Sequence, residues 1–276
     1  MGLLPEEPPT RYLKTGTHKT PTHSAKDLEI IYQDLTAAAE YQMGLLPRDA
    51  PQVPGYEFGT VFRPARSVSG DFYDFIPLSG GKLGIAIADA SGKGVPAALA
   101  TMTCRAMIRT QPEPDAPPAR ALANVNRMLY RNIKSGMFIS GIYAVLDPSQ
   151  HVLAVANAGH LPLVVWRSKA KVATIYPSRG PVLGVLPPPA YEAAIKEESI
   201  QLETGDRLVM FTDGINEAMA PGQREFGMEH LRRRLRSDSD GSTASFIGNL
   251  TDQIDIHRSG SEQSDDITLV TARRMA

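Results

Sequence analysis

From Ser24 onward the apolar positions follow a helical beat. Leu28, Ile31, Leu35, Ala38, Gln42 and Leu45 recur at steps of three and four, a single stripe that Pro47 ends. Ser24, with Asp27 three residues later, predicts a capping box at its start. The stripe has two readings: it covers the domain that follows, or it pairs with its copy in a second subunit as a short coiled coil. Residues 1–23, rich in Pro, Thr, Gly and Lys and without periodicity, read as a flexible lead-in. From Gly55 the dominant period becomes two. Strands are expected at 59–62, 82–88, 138–146, 151–157, 163–166, 171–176, 200–201, 207–211 and 267–271. Helical patterns over 95–110, 119–133, 225–236 and 243–256 interrupt them. Strands in consecutive runs with short connections favour antiparallel sheets with helices on their outer faces over a doubly wound parallel sheet. Residues 55–274 therefore read as one domain behind an accessory or linker helix at 24–47.

Composition narrows the function classes. Lys and Arg number 29 against 30 Asp and Glu, a net charge of -1, whereas a general nucleic-acid binder needs a basic surplus to neutralise phosphates. The basic run Arg232, Arg233, Arg234 and Arg236 reads as the solvated face of a helix. A single cysteine rules out a disulfide within the chain and gives no support to a cysteine-based zinc site, and Cys104, inside a helical run, reads as core. No apolar run approaches the ~18 to 20 residues that cross a membrane. With no secretory pattern at Met1, the expectation is a cytoplasmic protein without membrane insertion.

The chemistry lies in where the acids fall. Four segments place aspartates where a strand or an apolar run gives way to a turn: Ser69-Gly70-Asp71-Phe72-Tyr73-Asp74, Ala88-Asp89-Ala90-Ser91-Gly92-Lys93-Gly94, Phe211-Thr212-Asp213-Gly214 and Ser264-Asp265-Asp266-Ile267. Carboxylates gathered together repel one another unless protonated or neutralised by cations. Hard oxygen donors in that number suit Mg²⁺ or Mn²⁺. Two such ions sharing an aspartate orient a hydroxide and neutralise a phosphoryl group, the logic of phosphoester hydrolysis. No Gly-x-Ser-x-Gly elbow and no Walker A loop is present, so an activated water is the better nucleophile.

These segments resemble the metal-dependent serine/threonine protein phosphatases of the PPM family, in the bacterial SpoIIE/RsbU-type branch. The resemblance also rests on Asp89-Ala-Ser-Gly-Lys-Gly-Val-Pro-Ala-Ala-Leu99, Asn157-Ala-Gly-His160, Gly205-Asp-Arg-Leu208, Thr212-Asp-Gly-Ile-Asn-Glu-Ala218, Phe226-Gly227 and Asp265-Asp-Ile-Thr268, all in the family's order. It departs at Ser69, where the branch often has Gly, and at Asn216, where Thr is common. It implies an α+β fold, two antiparallel β-sheets packed as a sandwich and flanked by helices, with two divalent cations at one end. Asp89 would bridge the ions, with the Ala90 carbonyl as a further ligand. Asp71 would bind one ion, and Asp213 with Asp265 the other. Asp266 is the alternate to Asp265 or a supporting carboxylate. Asp74 either supports the site or caps a turn. Arg63, Arg66 and Lys93 are candidate phosphate contacts or solvated charges. His160 either reaches the cleft or stabilises its turn, and Glu217 would hydrogen-bond around the site.

The expected activity is metal-dependent hydrolysis of phosphoserine or phosphothreonine on a regulatory protein, an anti-sigma-factor antagonist by the branch's habit, with a metal-activated water attacking phosphorus. Activation is expected through the N-terminal helix, by dimerisation or a binding partner. The competing readings are an inactive phosphoprotein-binding module of the same fold and a hydrolase of small phosphoesters.

Overall fold

The computed structural model describes residues 24–276, so the lead-in expected over 1–23 lies outside the described residues. Helix α1 (Ala25–Leu45) begins with the expected capping box: the Ser24 hydroxyl accepts from the Asp27 amide while the Asp27 carboxylate accepts from the Ser24 amide. Strands β1 (Tyr56–Arg63), β2 (Asp71–Pro77) and β3 (Leu83–Ala90) follow, then helices α2 (Val95–Arg109) and α3 (Pro118–Asn132). Four strands come next, β4 (Ile139–Asp147), β5 (Val152–Ala158), β6 (Leu163–Arg167) and β7 (Val172–Tyr176). After α4 (Pro188–Ala194) run β8 (Glu197–Gln201), β9 (Arg207–Phe211), the single turn α5 (Asp213–Asn216) and the small hairpin β10 (Met219–Ala220) and β11 (Arg224–Glu225). Helices α6 (Gly227–Asp238) and α7 (Thr243–Arg258) and strand β12 (Ile267–Arg274) complete the chain.

Two five-stranded antiparallel sheets form the sandwich, ordered β1-β12-β9-β6-β7 and β2-β3-β4-β5-β8. Helices α2 and α3 lie on the second sheet, and α6 and α7 on the first. The alternation along β6 and β9 shows why both layers hold. Leu163, Val165, Leu208 and Met210 enter the core that includes the space between the sheets, while Val164, Trp166, Val209 and Phe211 pack with Leu231, Phe246 and Leu250 of the outer helices. Both faces of these strands are thus buried, each residue serving one of two apolar clusters.

Helix α4, the turn α5 and the β10–β11 hairpin are not among the expected elements, and two further differences bear on the site. Segment 71–77 was not among the strand candidates, yet it forms β2. Its first six residues are all buried, and Asp71 and Asp74 among them interrupt the apolar run that marks a doubly buried strand. The apolar stripe of α1 does not cover the domain along its length. Leu28 and Ile31 are exposed, and Gln42 is the buried residue of the helix. The helix projects from the domain and is held at its C-terminal end, where Leu46 is buried and the Tyr73 hydroxyl donates to the Pro47 carbonyl at 2.9 Å.

Candidate active site

Antiparallel pairing sets the start of one strand beside the end of its neighbour, and this brings the four acidic segments together. In the second sheet Asp71, the first residue of β2, stands opposite Asp89, near the end of β3. In the first sheet Leu269 of β12 pairs with Phe211 of β9, so the Asp265-Asp266 lead-in to β12 adjoins Asp213, just past β9. The close approach depends on Gly214: a Cβ there would lie 2.0 Å from the Asp266 carbonyl oxygen and 3.2 Å from that of Asp265. The sheets are joined beneath the site. The hydroxyls of Thr212 and Thr268 both donate to Asp71 Oδ2, at 2.8 and 2.6 Å. Asp89, Ala90, Asp213 and Asp265 line one cleft of about 570 Å³, with Asp71 buried behind Asp89.

The electrostatics follow from this crowding. Burial, then the facing charge of Asp89, raises the Asp71 carboxyl well above the usual range, and its two threonine hydrogen bonds offset part of that. Asp89 is pushed up to about 8, first by burial and then by the negative charges of Asp213, Asp265 and Asp266. Asp213 is raised by burial and by Asp265, with Lys93 opposing. Asp89 is therefore the carboxylate on which acids of both sheets act: it stands opposite Asp71 within one sheet, and it shares the cleft with Asp213 and Asp265 of the other.

This donor set, carboxylates with one backbone carbonyl at hand, fits hard divalent cations, whose charge relieves the repulsion that raises these groups. Among the described residues no three His, Cys, Asp or Glu side chains form a ready-made cage. The side chains have other partners: Asp71 takes two hydroxyls, and Asp265 Oδ2 lies 2.7 Å from the Lys93 ammonium. Ions held here would keep waters in much of their coordination.

The remaining predicted residues divide between the cleft and the frame. Lys93 and Glu217 line the cleft, and the Glu217 carboxyl is raised by burial and by Asp213, Glu225 and Asp265. Arg66 is exposed, its guanidinium 3.9 Å from where a Cβ on Gly94 would stand. Asp266 supports a loop: its two oxygens accept from the backbone amides of Ala65 and Gly70, both at 2.7 Å. Arg63 turns to Asp255 of α7 at 2.9 Å, an ion pair outside the cleft. Asp74 lies three residues from Asp71 and so on the other face of β2, where it is buried between Arg105 and Arg109 of α2. His160 borders the cleft with its ring occupied. Ser140 Oγ lies 2.8 Å from Nδ1 and the Phe211 carbonyl 3.1 Å from Nε2, so the ring bridges the two sheets. Burial pushes His160 down to about 4, which keeps it neutral.

Three supporting residues escaped the sequence reading of the site. Thr212 and Thr268 flank the acidic motifs as β-branched hydroxyls at strand ends. Gln42 falls within the apolar stripe of α1, where a polar residue at a core position signals a buried hydrogen-bonding demand. Gly205-Asp206-Arg207 belongs to the frame: Gly205 takes φ +86°, Asp206 pairs with Arg167, and buried Arg207 holds the carbonyls of Ser239 and Gly241.

Comparison with known proteins agrees with this geometry. The family model for stage II sporulation protein E (SpoIIE) matches residues 79–275. The phosphoserine phosphatase RsbU of Bacillus subtilis (strain 168) is 30% identical over 247 residues, spanning 88% of this chain and 71% of that protein. Protein IcfG of Synechocystis sp. is 28% identical over 268 residues, 87% of this chain but 41% of the relative. Among solved structures, the SiaA-PP2C domain of Pseudomonas aeruginosa superposes with a TM-score of 0.78 at 22% identity, covering 90% of this chain and 98% of that one, and so shares the fold. The chain belongs to the SpoIIE/RsbU-like branch of the PPM serine/threonine protein phosphatases. It is an enzyme of that class, and membership carries the family's general dependence on metal. No described helix is long and apolar enough to cross a membrane.

Proposed function

We propose that the cleft hydrolyses phosphoserine or phosphothreonine on a small regulatory protein, an anti-sigma-factor antagonist being the substrate class the branch resemblance supports. The observation that carries this reading is the position of Asp89, opposite Asp71 across one sheet and facing Asp213 and Asp265 of the other. Asp89 would be shared by two Mg²⁺ or Mn²⁺ ions, with Asp71 on one and Asp213 and Asp265 on the other, and the Ala90 carbonyl as a further donor. When bound, the ions supply Lewis acidity, lowering the pKa of water and neutralising phosphate charge.

The chain's own residues supply the arrangement. The Thr212 and Thr268 hydroxyls fix the Asp71 carboxylate from below. Gly214 lets Asp213 approach the Asp265 loop. Lys93, exposed at the rim and paired with Asp265 at 2.7 Å, would meet phosphate oxygens if released from that carboxylate, and Arg66 stands exposed beside Gly94. Neutral His160 serves as a brace between the sheets and not as an acid. The exposed apolar residues of α1, among them Leu28, Ile31 and Tyr32, support that helix as the docking point for a second copy or an activating partner.

Asp89→Asn should abolish Mn²⁺-dependent release of phosphate from a phosphoserine protein together with tight binding of the ions. Near-wild-type turnover by this variant would overturn the assignment. Rates on small phosphate esters measured beside the phosphoprotein separate the competing readings: faster ester turnover favours a small-molecule hydrolase, and binding without turnover favours a phosphoprotein-binding module.

A further inference from the structure

Helix α1 sends one side chain into the interior near its end. Gln42 is 4% exposed, and its amide grips both sides of the Ser69 backbone: Nε2 donates to the Ser69 carbonyl at 2.7 Å, and the Ser69 amide donates to Oε1 at 2.9 Å. Ser69 precedes β2, and its amide and carbonyl find these partners on α1. The next links lead to the site. The Gly70 amide donates to Asp266 at 2.7 Å, the Asp71 amide donates to Ser69 Oγ at 3.0 Å, and the Gly70 carbonyl accepts from the Ala90 amide at 3.1 Å. Three consecutive amides, Ser69, Gly70 and Asp71, are thus each held by a side chain. The first of those side chains belongs to α1. An apolar residue would anchor the helix equally well by burial, whereas the amide fixes the position of the Ser69 peptide in both directions.

We propose that Gln42 is a positioning residue for Asp71, coupling the end of α1 to the metal-binding carboxylates through the Ser69 peptide. The proposal rests on the reading of Asp71 as a metal ligand. A shift of α1 would carry the Ser69 peptide with it, and with it the backbone from which Asp71 projects. Ser69 has a second role in this path, since its hydroxyl accepts from the Asp71 amide.

The test is Mn²⁺ binding to the full chain by calorimetry, with thermal unfolding of the same samples. Gln42→Leu keeps the bulk and removes both hydrogen bonds; Gln42→Glu keeps an acceptor for the Ser69 amide and loses the donor to its carbonyl. Asn126→Leu is the control, because Asn126 makes a similar two-way clamp elsewhere, to the Leu186 carbonyl at 3.1 Å and from the Gly184 amide at 2.8 Å. Gln42→Leu should bind Mn²⁺ about tenfold more weakly, the scale for losing a partner that orients a metal ligand, with Gln42→Glu between it and wild type. Asn126→Leu should lower the melting temperature and leave Mn²⁺ affinity unchanged. Affinity within about twofold of wild type in the folded Gln42 variants overturns the proposal, as does an equal loss in Asn126→Leu. If Gln42→Leu does not fold, Gln42→Glu decides by the same criterion. Asp71→Asn separates the two levels: wild-type Mn²⁺ binding there refutes the ligand reading itself, whereas its loss alongside unchanged Gln42 variants refutes the coupling alone.

Discussion

Replacing Gly214 with alanine sets two physical effects against each other. Gly214 is a buried residue within α5 and is not among the positive-φ glycines, so the backbone accepts any L residue. Helix propensity alone favours alanine by about 1 kcal/mol. The tertiary contact opposes it far more strongly. The new Cβ would lie 2.0 Å from the Asp266 carbonyl oxygen, against an ordinary separation of about 3.4 Å, so one backbone must retreat by about 1.4 Å. The obstacle is main chain, which cannot rotate aside as a side-chain tip would. Overpacking of this kind costs about 1 to 3 kcal/mol. The retreat also separates Asp213 from the Asp265 loop, and a displacement of about 1 Å in a catalytic constellation costs on the order of 100-fold in rate. Urea unfolding reads the first effect, and kcat/KM on a phosphoserine peptide at saturating Mn²⁺ reads the second. A variant as stable and active as wild type would refute the claim that this glycine permits the assembly of the site.

Two other substitutions probe the frame around the cleft. Asp74→Asn leaves Arg105 and Arg109 without their buried counter-charge and should cost about 3 kcal/mol, the low end for breaking a buried pair because Arg109 is partly solvated; unchanged urea stability would contradict the pairing. For His160, the folded-state value of about 4 lies below the ordinary 6.5, so its contribution to stability is complete above pH 6.5 and is lost as the pH falls toward 4. That loss amounts to about 3 kcal/mol at most, and His160→Gln should remove it, giving a shallower acid limb in urea titrations across this range. Superimposable acid limbs for variant and wild type would count against a neutral, buried imidazole.

The fold class was legible because most strands are bounded by turns and carry the period-two pattern, and most helices the three-four stripe. Strand β2 is hidden for a physical reason: its two buried acids, Asp71 and Asp74, break the apolar run by which doubly buried strands such as β6 and β9 are recognised. The acidic segments were visible as motifs, but their convergence depends on antiparallel register, which sets Asp71 against Asp89 and which no local pattern states. Asp74 shows the same limit from the other side. It is only three residues from Asp71, yet strand geometry turns it toward α2. His160 and Arg63 carry the right chemistry for a phosphatase cleft, and only the partners seen in three dimensions show that both are otherwise engaged.

Asp71 and Asp89 ride on one sheet, while Asp213 and Asp265 ride on the other. The spacing of the four carboxylates is therefore a measure of how one sheet sits on its neighbour. A sub-ångström slide along that plane would be read out at the cleft as on the jaws of a caliper. The Thr212 and Thr268 hydroxyls that reach from one sheet to Asp71 on the other act as its set-screw. A substitution that alters the packing between the sheets, even far from the cleft, would therefore change the gap between the jaws.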